Sequence, residues 1–236
     1  MLIPNILFYI GIVPATLLFA IIGLSFFFLP YRARYYCITR WSHFFIFWAK
    51  ISCGLRFSIK GLEHLKDHHQ PAIVLSNHQS MWETVFMQVL LPTQTWILKK
   101  SLLNIPFFGL GLRLLEPIAI DRDDKQNTIK QLNTQVAERL NQGRWVVLFP
   151  EGTRVAPHMH HRFSKSGANL CKATGYAIIP IAHNAGLFWP RGFWIKNSGT
   201  IQVVVGPAIT PDNKEIADIH EAAESWIRTQ LKEIGG

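Results

Sequence analysis

Short runs rich in valine and isoleucine recur along most of the chain, and helical patterns separate them. The runs are AIVLS (72–76), TWILK (95–99), PIAID (117–121), WVVLFP (145–150), AIIPIA (177–182) and TIQVVVG (200–206). Their length and β-branching mark them as strands, several of them apolar on both faces. Between them, QNTIKQLNTQVAERLNQG places Ile129, Leu132, Val136 and Leu140 on one helical face and ends at Gly143. SGANLCKATG (166–175) and KEIADIHEAAESWIRTQLKEI (214–234) are two further helices, the last with Ile216, Ile219, Ala223, Trp226, Ile227 and Leu231 on its buried face. Strands alternating with helices predict an α/β domain with a mainly parallel central sheet flanked by helices.

Ahead of that pattern, residues 2–29 carry no charge, and Arg32, Arg34 and Arg40 follow. The run is too long for the apolar core of a cleaved signal peptide and lacks a basic start, so a hydrophobic helical membrane anchor is expected. Pro14 and Gly11 leave two forms open, a kinked spanning helix or a re-entrant hairpin. The next stretch, WSHFFIFWAKISCGLRF, mixes aromatic and basic side chains as the headgroup layer of a bilayer favours. We therefore divide the chain into a membrane-anchoring segment, 1–60, and an α/β domain, 61–236.

The formal net charge is +9. The basic residues are scattered, without zinc-finger spacing or an RNP-like aromatic run, so nucleic acid is not an expected partner. Beside an anchor, such charge fits anionic lipid and acidic substrates. Cys37, Cys53 and Cys171 form neither a disulfide framework nor a metal pattern, as in a reducing cytoplasm. His158-Met159-His160-His161 has no acidic or cysteine partner nearby and reads as an exposed loop rather than a metal site.

Three segments stand just past strands, where open α/β sheets carry their sites. SNHQSMWE follows AIVLS and offers His78 as a general base, with Glu83 five residues on. The same residues also satisfy a capping box, Ser80-x-x-Glu83, at the start of a helix. IDRDD follows PIAI and offers Arg122. FPEGTR follows WVVL; Gly152 admits a ligand close to the backbone, Thr153 offers a hydroxyl, and Arg154 can grip a phosphate in two places. Lys165 with Ser166-Gly167 opens a helix whose first amides favour an anion. There is no G-x-S-x-G elbow, Walker loop or complete dinucleotide fingerprint, so an enzyme built on these residues takes its nucleophile from the substrate.

Taken in order, Asn77-His78-x-x-x-x-Glu83, Ile120-Asp121-Arg122, Phe149-Pro150-Glu151-Gly152-Thr153-Arg154 and Ile179-Pro180-Ile181-Ala182 resemble the four blocks of the glycerolipid acyltransferases. The nearest kind is the bacterial 1-acyl-sn-glycerol-3-phosphate (lysophosphatidic acid) acyltransferases. The resemblance covers roughly residues 60–210 and departs once, with Glu83 where the family usually has Asp. It implies acyl transfer from a thioester of coenzyme A or acyl carrier protein to the sn-2 hydroxyl of a lysophospholipid, giving phosphatidic acid. It further implies His78 as base, Glu83 as its orienting acid, Arg122, Arg154 and Lys165 on the phosphate, and Glu151, Gly152 and Thr153 shaping the pocket. No metal or cofactor is implied beyond the thioester co-substrate. The expected place is the inner membrane, with the active site on its cytoplasmic face. Another lysolipid acceptor, or a non-catalytic lipid-binding module that kept the fold, are the alternatives.

Overall fold

The computed structural model describes residues 2–105, 108–120 and 125–236, and the side chains among them other than those of residues 108 and 125–130. Arg122 and Asp121 lie outside the described residues. Helices α1 (Leu2–Leu24) and α2 (Tyr31–Cys53) come first, followed by β1 (Leu55–Lys60), α3 (Glu63–Lys66), β2 (Ile73–Ser76), α4 (Trp82–Leu90) and β3 (Gln94–Lys99). The second half contains α5 (Phe108–Leu114), β4 (Ile118–Ile120), α6 (Lys125–Asn141), β5 (Trp145–Leu148), α7 (Ser166–Thr174), β6 (Ile178–His183), β7 (Gly199–Val205) and α8 (Ile216–Glu233).

The strands form one sheet in the order β1-β7-β6-β2-β5-β3-β4. Strands β6, β2, β5, β3 and β4 run parallel; β7 turns antiparallel to β6, and β1 runs parallel to β7. The α/β reading with a mainly parallel sheet therefore holds. Because successive side chains leave a strand on opposite faces, each central strand feeds two cores. Val74, Val147 and Ile179 face a core shared with α1, α2 and α4, built around Phe8, Phe45, Trp82 and Trp189. Ile73, Val146 and Ile178 face the other, shared with α6, α7 and α8 through Leu140, Cys171 and Ile227.

Two features differ from the sequence reading. Strand β1 pairs along its length with β7, from Leu55 beside Gly199 to Lys60 beside Val204, so the sheet begins ahead of the division drawn at residue 60. LRFSIK alternates Leu55, Phe57 and Ile59 with Arg56, Ser58 and Lys60, as a strand covered on one face does, but it runs on from the aromatic-basic stretch with only Gly54 between and merges with it in the sequence. The aromatic-basic stretch before it is helical, and α2 seals one sheet face with Tyr35, Phe45, Ile46 and Ala49 while Gly54, at φ 68°, closes it in the left-handed region.

Helix α1 runs unbroken through Gly11 and Pro14 and packs back on α2. An added Cβ at Gly11 would lie 2.4 Å from the Trp48 ring, so the glycine sets how closely the two helices approach. Trp48 donates to the Phe8 carbonyl at 3.0 Å, and Trp41 donates to Thr16 Oγ1 at 3.0 Å. At the opposite end of α2, Tyr31 donates to the Gln94 carbonyl at 2.9 Å, the Arg144 guanidinium lies 3.3 Å from the centre of its ring, and Glu116 pairs with both Arg34 and Arg144. The outer face of α1 stays apolar and exposed, including Leu2, Ile3, Ile10, Leu18 and Ile21. By length and composition, α1 meets the requirement for crossing a bilayer.

These faces predict opposite outcomes on one helix. Phe45 is 2% exposed and Phe47 is 56% exposed. Phe45→Ala should cost about 3–5 kcal/mol of unfolding free energy. Phe47→Ala should stay within about 0.5 kcal/mol for protein in detergent. Denaturant titration of both variants measures the contrast, and equal losses would contradict the packing.

Candidate active site

Strand β2 lies between β5 and β6, and the chain leaving it crosses over β5 to form β3 on the far side. At such a switch the loops at the carboxyl ends of the strands diverge and leave a crevice. The loop after β2 carries His78, and the loop after β5 carries FPEGTR. Since β2 and β5 are parallel neighbours, with Leu75 beside Leu148, both segments leave the sheet at the same edge.

The turn Asn77–Ser80 is held from three directions. Asn77 is fully buried; its amide donates to the His183 carbonyl at 2.9 Å, and its Oδ1 accepts the His183 N–H at 3.0 Å. His183 Nε2 returns a hydrogen bond to the Asn77 carbonyl at 2.8 Å, while its Nδ1 accepts the Ala185 amide at 3.3 Å. Those partners fix a neutral ring, and burial lowers the His183 pKa in the same sense. Gln79 Oε1 accepts the Gly186 amide at 3.2 Å, a fourth tie to the chain at and just past the end of β6.

Glu83 closes the turn from within. One oxygen, Oε1, accepts His78 Nδ1–H at 2.8 Å, the Gln79 amide at 2.9 Å and the Ser80 amide at 2.8 Å. Ser80 Oγ meanwhile accepts the Trp82 amide at 3.1 Å. The carboxylate thus serves the acid-base reading and only half of the capping box: it takes the Ser80 amide, but Ser80 Oγ bonds Trp82 rather than Glu83, and α4 starts after Met81 without a side-chain cap. Glu83 is 0% exposed, and its Oε2 has no hydrogen-bond partner among the described residues. Burial pushes its carboxyl up, but the His78 hydrogen bond and the Ser80 amide outweigh it and hold the group below the ordinary glutamate value. Its place in the first turn of α4 favours the ionised form as well.

His78 is 16% exposed, and its ring stacks on Phe149 with centroids 4.2 Å apart and planes 17° apart. With Nδ1 committed to Glu83, Nε2 is left as the basic nitrogen. The FPEGTR segment is strapped to the same residue: Glu151 Oε2 accepts the His78 amide at 2.5 Å, and Val155 donates to the His78 carbonyl at 2.8 Å. Gly152 occupies φ 67°, which a side chain disfavours. Thr153 is exposed, and Arg154 is half-buried with no ion pair among the described residues. Lys165 caps α7 with an exposed side chain; next to it, the Ser164 amide donates to the Pro150 carbonyl at 3.0 Å and draws the start of α7 to the FPEGTR loop. The structure therefore gathers His78, Glu83, Glu151 and the Gly152–Arg154 backbone, sets Lys165 at the loop's far end, and leaves Arg122 outside the described residues.

Sequence reasoning missed His183. Its signal was a histidine directly after a strand, and only the position of β6 beside β2 gives it meaning. The His158–His161 run is an exposed loop, as expected, held by Arg228 of α8, which donates to the His161 carbonyl at 2.8 Å and stacks over Phe163.

Comparison with known proteins identifies the family of the chain. The acyltransferase family model matches residues 56–184. The chain is 40% identical to 1-acyl-sn-glycerol-3-phosphate acyltransferase of Pseudomonas aeruginosa, over 98% of this chain and 91% of that one. It is 31% identical to a chloroplastic 1-acyl-sn-glycerol-3-phosphate acyltransferase of Arabidopsis thaliana, over 75% of this chain and 49% of that one. The crystal structure of the 1-acyl-sn-glycerophosphate acyltransferase from Thermotoga maritima superposes with a TM-score of 0.81 at 20% identity, covering 99% of this chain and 95% of that one, a likeness of fold.

Glu151 provides a pH test of this geometry. Burial, with the Glu83 charge adding to it, pushes its carboxyl up to about 8 from 4.5. The folded protein therefore binds more protons than the unfolded chain between those values, and stability falls as pH rises through that window. Glu151→Gln keeps an oxygen for the His78 amide but cannot ionise. Its thermal midpoint should overtake the wild type's progressively from pH 5 to 8; parallel pH profiles would contradict the buried, proton-holding carboxyl.

Proposed function

The chain belongs to the acyltransferase family, and from that premise we propose that it moves a fatty acyl group from acyl-coenzyme A or acyl carrier protein to the sn-2 hydroxyl of 1-acyl-glycerol-3-phosphate, giving phosphatidic acid. The observation carrying this reading is the 2.8 Å contact of His78 Nδ1 with the buried Glu83 carboxylate, which leaves Nε2 as the only basic ring nitrogen.

His78 Nε2 removes the proton of the acceptor hydroxyl as that oxygen attacks the thioester carbonyl. Glu83 keeps the Nδ1–H tautomer and stabilises the imidazolium that forms. The tetrahedral intermediate collapses with loss of the thiol, which takes the proton back from Nε2. Proton and acyl group are thus both accounted for without an acyl-enzyme, and the scheme draws on no metal ion and no cofactor besides the thioester. Glu151 acts through the His78 backbone and is a positioning residue. Arg154, Arg122 and Lys165 hold the acceptor phosphate, with the open Gly152–Thr153 backbone beside it. A general base is worth about 10²–10⁴ in rate, so fixing both substrates against each other supplies much of the remainder. The apolar α1 attaches the enzyme to the inner membrane with this edge of the sheet on the cytoplasmic side.

An assay with lysophosphatidate and acyl-coenzyme A tests the reading. His78→Ala should lower kcat by about 10²–10⁴ while the protein stays folded and membrane-bound; activity in proportion to folded protein would overturn it. Arg154→Ala should raise the acceptor KM more than it lowers kcat. Glu83 offers a finer test, because a single oxygen takes all its hydrogen bonds. A glutamine can keep those bonds and lose only the charge, so Glu83→Gln should retain more activity than Glu83→Leu, which also frees the ring. Equal losses would assign the whole effect to charge.

A further inference from the structure

The segment between β6 and β7, FWPRGFWIKNSG, is not used by the chemistry above, yet its inner and outer faces differ sharply. Trp189 is fully buried, stacked on Phe45 at 5.7 Å with planes 6° apart and edge-on to Phe8 at 5.3 Å. Ile195 is also buried, and both of its backbone groups are taken by Asn5 of α1, each at 2.8 Å. Tyr9 of the same helix donates to the Phe193 carbonyl and meets the Trp194 ring edge-on at 6.2 Å. Between these two anchors the tip points outward: Phe193 is 77% and Trp194 53% exposed, with Arg191 and Lys196, also exposed, on either side.

Adjacent exposed phenylalanine and tryptophan are costly in water unless something covers them. Charge and continuity indicate what does. The tip is flanked by cations, and neither Arg191 nor Lys196 is ion-paired among the described residues. It is joined through Asn5 and Tyr9 to the amino-terminal half of α1, whose outer face exposes Ile3, Ile6 and Ile10. Aromatic tips with basic neighbours are the composition of the headgroup boundary of an anionic bilayer. The loop also roots beside the catalytic turn, since the Gly186 amide at its base bonds Gln79, next to His78.

We propose that the Arg191–Lys196 tip is a second membrane contact, distinct from the apolar face of α1, that inserts Phe193 and Trp194 at the headgroup boundary of anionic phospholipid and so holds the rim of the His78 crevice against the bilayer. The inference deepens the acyltransferase reading by naming the surface that meets the lipid, and it rests on that reading for the acceptor's being a membrane lipid.

The test attaches a nitrobenzoxadiazole label to Phe193→Cys in the full chain, with Cys37→Ser removing the half-buried thiol. A control label goes at Asp212→Cys, an exposed position three residues beyond Ile209, which pairs with Ile178 at the opposite edge of the sheet. On phosphatidylethanolamine–phosphatidylglycerol vesicles containing nitroxide-labelled lipid, the label at 193 should be quenched at least threefold more than that at 212. Quenching needs no turnover, so this arm stands or falls apart from the proposed chemistry. In the second arm, Phe193→Ser with Trp194→Ser should lower turnover of vesicle-held lysophosphatidate about tenfold and leave turnover of a soluble short-chain acceptor unchanged. If that pair fails to fold, Arg191→Glu with Lys196→Glu should abolish the preference for phosphatidylglycerol-containing vesicles. Equal quenching at both positions would overturn the proposal. So would protection of the 193 label by acyl carrier protein without quenching by lipid, which would make the tip a protein-docking surface.

Discussion

One fully buried oxygen atom, Oε1 of Glu83, receives the His78 ring and two successive backbone amides. A buried carboxylate is expensive, and several donors converging on it are what make it tolerable. Because two of those donors are the amides of Gln79 and Ser80, the charge that orients the imidazole also folds the turn that presents it. Catalytic geometry and local structure therefore share one electrostatic cause. The ring's remaining nitrogen is directed by default, as Nδ1 has no second choice.

That constraint spreads outward through the sheet. Asn77, just before the histidine, is locked to His183 by three hydrogen bonds, so the end of β6 sets where β2's loop begins. Glu151 and Val155 take the His78 amide and carbonyl, so the loop after β5 is registered to the same residue. Three adjacent parallel strands thus converge on one backbone unit. The proton-holding Glu151 and the ionised Glu83 sit near each other with opposite tendencies, one raised by burial and by its neighbour's charge, the other lowered by donors. Two carboxyls with such different environments can take separate roles, one holding the ring and one holding the backbone.

What the sequence disclosed and what it hid follow from the range of the forces involved. Runs such as IVLS and WVVL are buried on both faces, so their apolarity is continuous and readable without knowing their neighbours. His78 and Glu83 are five residues apart, and a local contact of that kind leaves a spacing in the sequence. The contact between Asn77 and His183 joins residues 106 apart and leaves none. Strand β1 escaped for another reason: its alternation, Leu55, Phe57 and Ile59 against Arg56, Ser58 and Lys60, follows the aromatic-basic helix with only Gly54 between them. The departure to glutamate at position 83 is answered by geometry: its longer side chain reaches the ring and both amides together.

The placement of the helices then connects the chemistry to its medium. Helix α2 crosses one face of the sheet from the Tyr31–Arg144–Glu116 cluster to Gly54, and α1 returns along it, so α1 starts at the edge that carries His78. An enzyme acting on a dissolved substrate has no need to bring its most apolar surface to the rim of its active site. One that takes a lipid alcohol does, because the acceptor leaves its bilayer only at a cost of about 0.8 kcal/mol for every methylene exposed. Keeping the chains in the membrane and lifting only the headgroup toward His78 avoids nearly all of that cost. On the reading proposed above, the arginine and the open glycine turn of FPEGTR then have only a phosphate to hold.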